Sequence, residues 1–557
     1  MTGAQAAVAA IEREGVDFLF GYPGGTIMPL YDALFNHAVR HVLCRHEAAA
    51  AFAAGGYARS SGRVGVCVAT SGPGATNLVT ALLDAYMDSV PVVAITGQVR
   101  TDLMGTDGFQ EADVCAITQA ITKRNFLVDD PAQIASTLAE AFALARSGRP
   151  GPVLVDIPTD VLKAQVPADA ADAPASLPRR AAVPRASDDA IRDAVARIRA
   201  ARRPVAIIGG GVRADAVEAF RTFVALLGLP HASTLMALGA AEPGDPHALG
   251  MLGMHGLKAA NKAVQQADLI IALGMRFDDR VTGKSDRFAR TAAVIHADID
   301  ATEFNKIIAA DVTLHGDLRD TLEALVAELV RSHVPRFDDW ARDAQALGGP
   351  LPSDRVGAHV LSATDVLDRF FDAIPADAIV TTDVGQHQMW AAQRAHPAHP
   401  RSFLTSAGLG AMGFGFPAAI GAQFANPGRP VYAIVGDGGF QMCLPELATL
   451  RRYAVPAKIL LIDNQNLGMV RQWQELFFDA RYSATNLADN PDFATIARAY
   501  GIAAFAVADP ADADATIAAF VAHDGPALLH AACHPTENVW PMIPAGMTVD
   551  DLMEART

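Results

Sequence analysis

Short runs rich in valine and isoleucine recur along the chain, each followed by a stretch with helical periodicity. They are RVGVCVAT (63–70), VPVVAITG (90–97), GPVLVDIP (151–158), RPVAIIGGG (203–211), ADLIIALG (267–274), AAVIHADID (292–300), DAIVTTDVG (377–385), RPVYAIVGDGG (429–439), AKILLIDNQN (457–466) and PALLHAACH (526–534). Strands that are apolar throughout, rather than at alternate positions, need cover on both faces. Parallel sheets flanked by helices supply that cover. Nearly every run ends in Gly, Asp, Asn or Thr, and open α/β sheets bind ligands at those carboxyl ends.

Two stretches interrupt the series. Residues 164–190 are rich in Pro, Ala and Asp and lack apolar periodicity, and residues 347–359 (LGGPLPSDRVGAH) read as a second linker. The expected organisation is α/β, with three doubly wound parallel-sheet domains over residues 1–163, 191–346 and 360–545 and a tail over 546–557. A chain of 557 residues, 51% hydrophobic and 19% charged, has material for three cores and is not globally disordered.

The formal net charge of −16 argues against the basic face that a nucleic-acid partner needs. Nothing resembles a polybasic membrane anchor. Stretches 64–83 and 402–428 lack charge, but the second holds six glycines and two prolines. Both read as buried loop-and-helix surfaces around a ligand, not as membrane spans. Five cysteines, at 44, 67, 115, 443 and 533 with no CxxC spacing, fit a reducing cytoplasm better than a disulfide framework or a zinc site. The N-terminus carries acids early and lacks the apolar core of a signal peptide, and a helix starting almost at once leaves no room for a transit peptide.

Two motifs carry chemistry. In GDGGFQMCLPELATLRRYAVPAKILLIDNQN (436–466) a strand ends in Gly436-Asp437-Gly438-Gly439, and a second strand ends 27 residues after Asp437 at Asn464, with Asn466 close behind. Glycines let the backbone approach an anion at a helix start. Asp437 would repel phosphates there unless a cation stood between them. One carboxylate, one amide oxygen and backbone carbonyls suit Mg²⁺. The second motif is CRHEAAAAFAAGG (44–56), with the lone acid Glu47 heading a run of alanines that predicts a closely packed helix. Taken alone, Glu47 could simply complement a helix dipole.

The spacing of GDG and the Asn pair resembles the thiamine diphosphate enzymes, with Asp463 standing where the family has the first Asn of NN. The resemblance implies that Asp437, Asn464 and Asn466 hold Mg²⁺. It also implies that Glu47 is the carboxyl group that hydrogen-bonds the cofactor's pyrimidine and shuttles a proton to it. The apolar alanine surface would then admit a flat ring edge. Pro73 and Asn77, in SGPGATN, would line the pyrimidine. Val384, Gly385, Gln386 and His387 would face the diphosphate, together with Gly436, Gly438 and Gly439. Gly410, Met412 and Met469 complete the cofactor set, Met412 being the bulky residue that props a bent cofactor.

Further stretches narrow the resemblance to the catalytic large subunits of acetohydroxyacid (acetolactate) synthases, close to the bacterial isozyme II type. They include FGYPGGTIMPLYDAL, LCRHE, TSGPGATNL, GTDGFQEAD, GMLGMHG, RFDDRVTGK, TTDVGQHQMWAAQ and MVRQWQELFF, and they span the chain. Carried over, Gly25 and Gln110 join Glu47 as catalytic residues. Phe109 and Met254 line the substrate pocket, Arg280 pairs with a ketoacid carboxylate, and Trp473 shapes the alkyl pocket. The family binds FAD in the middle domain. Matching positions are Gly209, Gly210, Gly211, Thr234, Leu235, His255, Gly274, Arg276, Asp278, Asp298 and Asp317.

The implied reaction decarboxylates pyruvate and joins the two-carbon unit to a second pyruvate or to 2-oxobutanoate. A flavin-using pyruvate oxidase of the same fold, or another thiamine diphosphate-dependent 2-ketoacid decarboxylase or ligase, is the alternative. A homo-oligomer with the active site at the dimer interface and a small regulatory subunit are the implied partners. Thr159 departs from the Lys often found in the family, near the pocket mouth.

Overall fold

The computed structural model describes residues 1–35, 37–167, 184–331, 336–354, 356–357 and 359–555. Most of the expected first linker, 168–183, and the last two residues of the tail lie outside the described residues. Among the described residues, eighteen strands form three six-stranded sheets. The first holds β1 (Phe18–Gly21), β2 (Arg40–Leu43), β3 (Gly65–Ala69), β4 (Val92–Gln98), β5 (Arg124–Leu127) and β6 (Val153–Pro158) in the order β2-β1-β3-β4-β6-β5. The second holds β7 (Pro204–Ile208), β8 (His231–Ser233), β9 (Ala248–Met251), β10 (Leu269–Leu273), β11 (Ala293–Asp298) and β12 (Val312–His315) in the order β12-β11-β10-β7-β8-β9. The third holds β13 (Ile379–Thr382), β14 (Phe403–Thr405), β15 (Val431–Gly436), β16 (Lys458–Asp463), β17 (Ala503–Val507) and β18 (Ala527–Ala532) in the order β14-β13-β15-β16-β18-β17.

All pairings within these sheets are parallel. All ten apolar runs read from the sequence are strands. Their continuous apolarity has the expected cause. In β3, Val66 and Val68 enter one core while Cys67 and Ala69 enter another on the opposite face. In β15, Tyr432 and Ile434 face one core and Val431, Ala433 and Val435 the other. Successive side chains alternate between faces, and helices cover both.

The strand orders decide where ligands can sit. The first and third sheets share one topology, with the reversal of strand order between β1 and β3 and between β13 and β15. The middle sheet, read from β9, has the order 3-2-1-4-5-6 of dinucleotide-binding folds, and it reverses between β7 and β10. In each sheet glycine-bearing loops singled out from the sequence leave the strands at this reversal, while the loop with Gly410 follows the edge strand β14.

The alanine-rich run forms the helix Glu47–Ser61, capped by His46 Nδ1, which accepts from the amide of Ala48 at 3.1 Å, and ended by Gly62 in the left-handed region at φ 76°. Its smallness has a packing cause that the sequence did not announce. The helix packs against Gly415–Ala425 of the third domain so closely that a β-carbon on Gly421 would overlap the carbonyl oxygen of Ala53, and one on Gly56 would overlap that of Ala418. Within one chain, Ala53 and Gly56 of this run serve a helix–helix seam. Gly55 and Gly56 cost about 1 kcal/mol each relative to alanine in a helix interior, and at Gly56 the close approach offsets that cost. Gly421→Val is therefore expected to destabilise the chain by roughly 1–3 kcal/mol or more through overpacking, read from urea unfolding. A change within about 0.5 kcal/mol, as for an ordinary surface substitution, would show that the seam has slack.

Candidate active site

One cavity of about 1320 Å³ is lined mainly by the second and third domains, with Met87, Asp88, Ser89, Arg149 and Pro150 of the first domain at its side. Every proposed FAD residue lines it, as do Val384, Gly385, Gln386, His387, Gly410, Met412, Gly436, Gly438, Gly439 and Met469 from the thiamine set. Asp437, Asn464 and Asn466 line it too, and so do Met254, Arg280 and Trp473. Six candidates do not line it: Gly25, Glu47, Pro73, Asn77, Phe109 and Gln110, all from the first domain. Thr159 is also absent from the lining.

Those six lie on loops and first helical turns that follow the carboxyl ends of strands in the first sheet. Asn77 Nδ2 donates to Glu47 Oε2 at 2.9 Å. The loop before Glu47 is fixed from the third domain, because the amides of Arg45 and His46 donate to Glu446 Oε1 at 2.7 and 3.1 Å. Gly72, at φ 57°, packs on Gln110, itself at φ 60° in a region non-glycine residues seldom occupy. Phe109 is 89% exposed. The structure thus holds two half-sites, one on the first domain and one in the cavity.

In the cavity half, Asp437 is buried and makes no ion pair with Lys or Arg among the described residues. Asn490 Nδ2 bridges it to Asp463, at 2.8 Å to Asp437 Oδ2 and 3.1 Å to Asp463 Oδ1. Burial, with Asp463 beside it, pushes the Asp437 carboxyl up from the usual range. Burial also acts to raise Asp463, but the His530 imidazole at 2.8 Å outweighs it and holds that carboxyl down. Two buried acids sharing one amide favour a cation at the free edge of Asp437. No cluster of three or more His, Cys, Asp or Glu able to hold a metal occurs among the described residues, so a cation here would rely on amide and backbone oxygens. The side-chain amide of Asn466 donates to the carbonyls of Asn464 and Pro535 at 2.9 and 3.1 Å.

His387 is fully enclosed, its Nε2 has no partner, and burial lowers its pKa to about 4, so the imidazole is neutral at pH 7. Gly385 and Gly436 flank it at distances where a β-carbon would strike the ring. The ring's other hydrogen bond goes to the Asp383 backbone, so a phosphate oxygen meeting this nitrogen between glycines would need a proton placed on it. The Gln386 side chain, which also lines the cavity, is engaged with protein partners. Its Nε2 donates to Gln472 Oε1 and to the carbonyl of Glu537, and its Oε1 accepts from Asn464.

The glycines of the middle sheet are partly spent on one another. Gly211 N donates to Gly274 O at 2.9 Å, and a β-carbon on Gly209 or Gly211 would meet the Gly274–Met275 backbone. This crossing of loops at the reversal point, with Asp298 raised to about 6 by burial, fits a dinucleotide. Asp278 also caps the helix Asp279–Thr282, accepting from Val281 N at 3.1 Å. At the rim, Arg280 Nη1 lies 3.3 Å from Met254 Sδ. Trp473 packs edge-on against Phe477 with centroids 5.7 Å apart.

Several supporting residues escaped the sequence reading. Asp383, fully buried and raised by burial to about 7, accepts from Val384 N at 2.7 Å and Gly413 N at 2.9 Å, which seats the loop carrying Met412. The amides of Ala407 and Gly408 donate to Asp88, and Arg59 bridges Asp84 and Asp88 at 2.8 and 3.0 Å. An Asp directly after a strand was the available signal for Asp383. The Arg59 cluster joins distant segments and left none.

Comparison with known proteins agrees with this geometry. Residues 1–117, 191–325 and 383–531 match the N-terminal TPP binding, central and C-terminal TPP binding domains of thiamine pyrophosphate enzymes. The chain is 50% identical over 555 residues to the acetolactate synthase isozyme 2 large subunit of Escherichia coli K12, covering all of both chains. It is 48% identical to an acetolactate synthase of Mycobacterium bovis, covering all of this chain and 92% of that one. It is 42% identical to a probable acetolactate synthase large subunit of Methanocaldococcus jannaschii, covering 95% of it. With three thiamine pyrophosphate enzyme domains in order and full-length likeness at this level, the chain belongs to the acetolactate synthase large-subunit family of thiamine pyrophosphate enzymes.

Proposed function

We propose that the chain is the catalytic subunit of an acetolactate synthase. It decarboxylates pyruvate and ligates the two-carbon unit to a second pyruvate or to 2-oxobutanoate, giving 2-acetolactate or 2-aceto-2-hydroxybutanoate for branched-chain amino-acid biosynthesis. The observation that carries this reading is the single cavity shared by the GDG–Asn half-site, the middle-sheet glycines, Arg280 and Trp473.

Thiamine diphosphate, when bound, supplies the electron sink that decarboxylation requires. The chain's residues supply the rest. Asp437, Asn464 and an oxygen of Asn466 hold Mg²⁺, and His387 with the glycines of 385 and 436–439 receives the diphosphate. Glu47, positioned by Asn77, moves a proton at the pyrimidine edge. Gly25, Gln110, Phe109, Pro73 and Asn77 complete that edge. Arg280 orients the ketoacid carboxylate. FAD on the middle sheet is structural, because joining two ketoacid fragments transfers no net electrons.

Glu47 and its neighbours do not line the cavity of their own chain, so this reading requires a second copy whose first domain faces it. A small regulatory subunit is the further partner, consistent with relatives named large subunits. The cytoplasm is the proposed location. No helix among the described residues is long and apolar enough to cross a membrane.

The test is product analysis with both ketoacids supplied to the wild type and to Trp473→Leu. The wild type is expected to form both acetohydroxyacids without stoichiometric O₂ uptake. Oxygen consumed one-for-one with pyruvate would establish an oxidase instead. A pocket wall can reward one methylene by about 1–3 kcal/mol, roughly 10–200-fold. Trp473→Leu should erase most of any preference between the two acceptors while decarboxylation continues. An unchanged product ratio would make Trp473 a packing residue.

A further inference from the structure

The metal half-site rests on a chain of three buried amides whose polarity is set by the backbone. Val539 N donates to Gln472 Oε1 at 2.8 Å, and Gln472 Nε2 donates to Val539 O at 3.1 Å. A peptide N–H and C=O read both ends of this amide, so its orientation is not ambiguous. Gln472 Oε1 also accepts from Gln386 Nε2 at 3.0 Å, and that nitrogen donates to Glu537 O at 2.8 Å. Both partners are acceptors, so Gln386 must turn its Oε1 toward Asn464. Asn464 then presents Nδ2 to it at 3.1 Å, the same orientation in which its Oδ1 accepts from Asn466 N at 3.3 Å. Gln472, Gln386 and Asn464 are 0%, 3% and 6% exposed, so water cannot repair a reversed amide.

The segment that sets this polarity is itself held. Glu537 accepts from Ser362 Oγ and Ala363 N at 2.6 and 2.8 Å, and Asn538 N donates to Asp354 at 2.7 Å.

We propose that Gln472 and the side chain of Gln386 are positioning residues, an amide relay anchored on the Val539 peptide that commits Asn464 to offering an oxygen, not an NH₂ group, to the cation. The inference rests on reading Asn464 as a Mg²⁺ ligand. It makes the carboxyl-terminal segment 537–539 part of the metal site's support, although it touches no ligand position directly. It also gives Gln386 a task its sequence motif did not announce.

The experiment titrates Mg²⁺ into full-length protein at saturating thiamine diphosphate and follows cofactor uptake by intrinsic fluorescence, with thermal unfolding measured alongside. Gln472→Met keeps length and flexibility but removes both ends of the amide. Its Mg²⁺ half-saturation is expected to rise by about 10–100-fold, the usual effect of losing a partner that orients a metal ligand, and excess Mg²⁺ should restore uptake. Gln386→Met should shift it in the same direction and serves if the first variant does not fold.

Gln393→Met is the control. That buried amide donates to His255 O at 2.8 Å and Trp540 O at 3.0 Å but does not reach Asn464. Its half-saturation should stay at the wild-type value. Equal shifts in Gln472→Met and Gln393→Met would overturn the relay in favour of general loosening. So would no shift in Gln472→Met where Asn464→Ala shows one. No shift in Asn464→Ala would instead overturn the ligand assignment beneath it.

Discussion

Glu47→Gln is expected to slow exchange of the cofactor's C2 proton by about 10²–10⁴-fold, the usual worth of a positioned acid or base, while leaving the fold intact. Glutamine keeps the shape, and its carbonyl oxygen can still accept from Asn77 Nδ2, which meets Glu47 at 2.9 Å. The helix beneath it is capped by His46 and seamed to its neighbour, and neither feature uses the Glu47 carboxyl. Thermal unfolding and Mg²⁺-dependent cofactor binding should therefore match the wild type. What is lost is a group able to give and take a proton. Wild-type exchange in the variant would remove Glu47 from the chemistry and return it to a helix-start role.

Asp437→Asn acts on the other half-site. Exchanging a carboxylate for a neutral amide lowers affinity for a hard cation. It also removes the repulsion that Asp437 suffers from Asp463, since the pair shares Asn490 Nδ2. The variant should thus fold at least as stably as the wild type without Mg²⁺ yet bind the metal far more weakly, on the order of 10²-fold if the lost charge is worth about 3 kcal/mol. Activity should return in part at high Mg²⁺ and thiamine diphosphate. Unchanged cofactor affinity at low Mg²⁺ would refute the assignment. The two variants separate proton transfer from metal binding.

The legible part of the fold was what both-face burial writes into a strand. In the third sheet the four inner strands were read and the two edges, β14 and β17, were missed. β14 is three residues long, and β17 is only partly buried. β2 and β5 also lie at an edge, with exposed positions that break the apolar run. β9 contains Gly250 at φ 82° and a register shift against β8.

In the site, residues within one loop were legible because glycine spacing and an acid at a strand end have local causes. The Asp437–Asn490–Asp463 bridge, the Asp383 anchor and the Gln386–Gln472 contact were not, since each joins segments that only the folded sheet brings together. The alanine run shows the converse. Its helix was legible, but its partner, Gly415–Ala425, lies more than 350 residues away in sequence, and no local pattern could say what the small side chains were for.

That seam has a mechanical consequence. Interfaces cushioned by long side chains can slip, because rotamer changes absorb small displacements. Backbone resting on backbone, as at Gly56 with Ala418 and Gly421 with Ala53, has no such bearing. The first and third domains of a chain are in effect welded along it, and Glu47 and the loop carrying Met412 ride at the ends of the welded pair. Hinging these domains to admit a ketoacid would require that seam to part. Opening is expected instead at the exposed loops at the strand ends, where Phe109 stands 89% exposed.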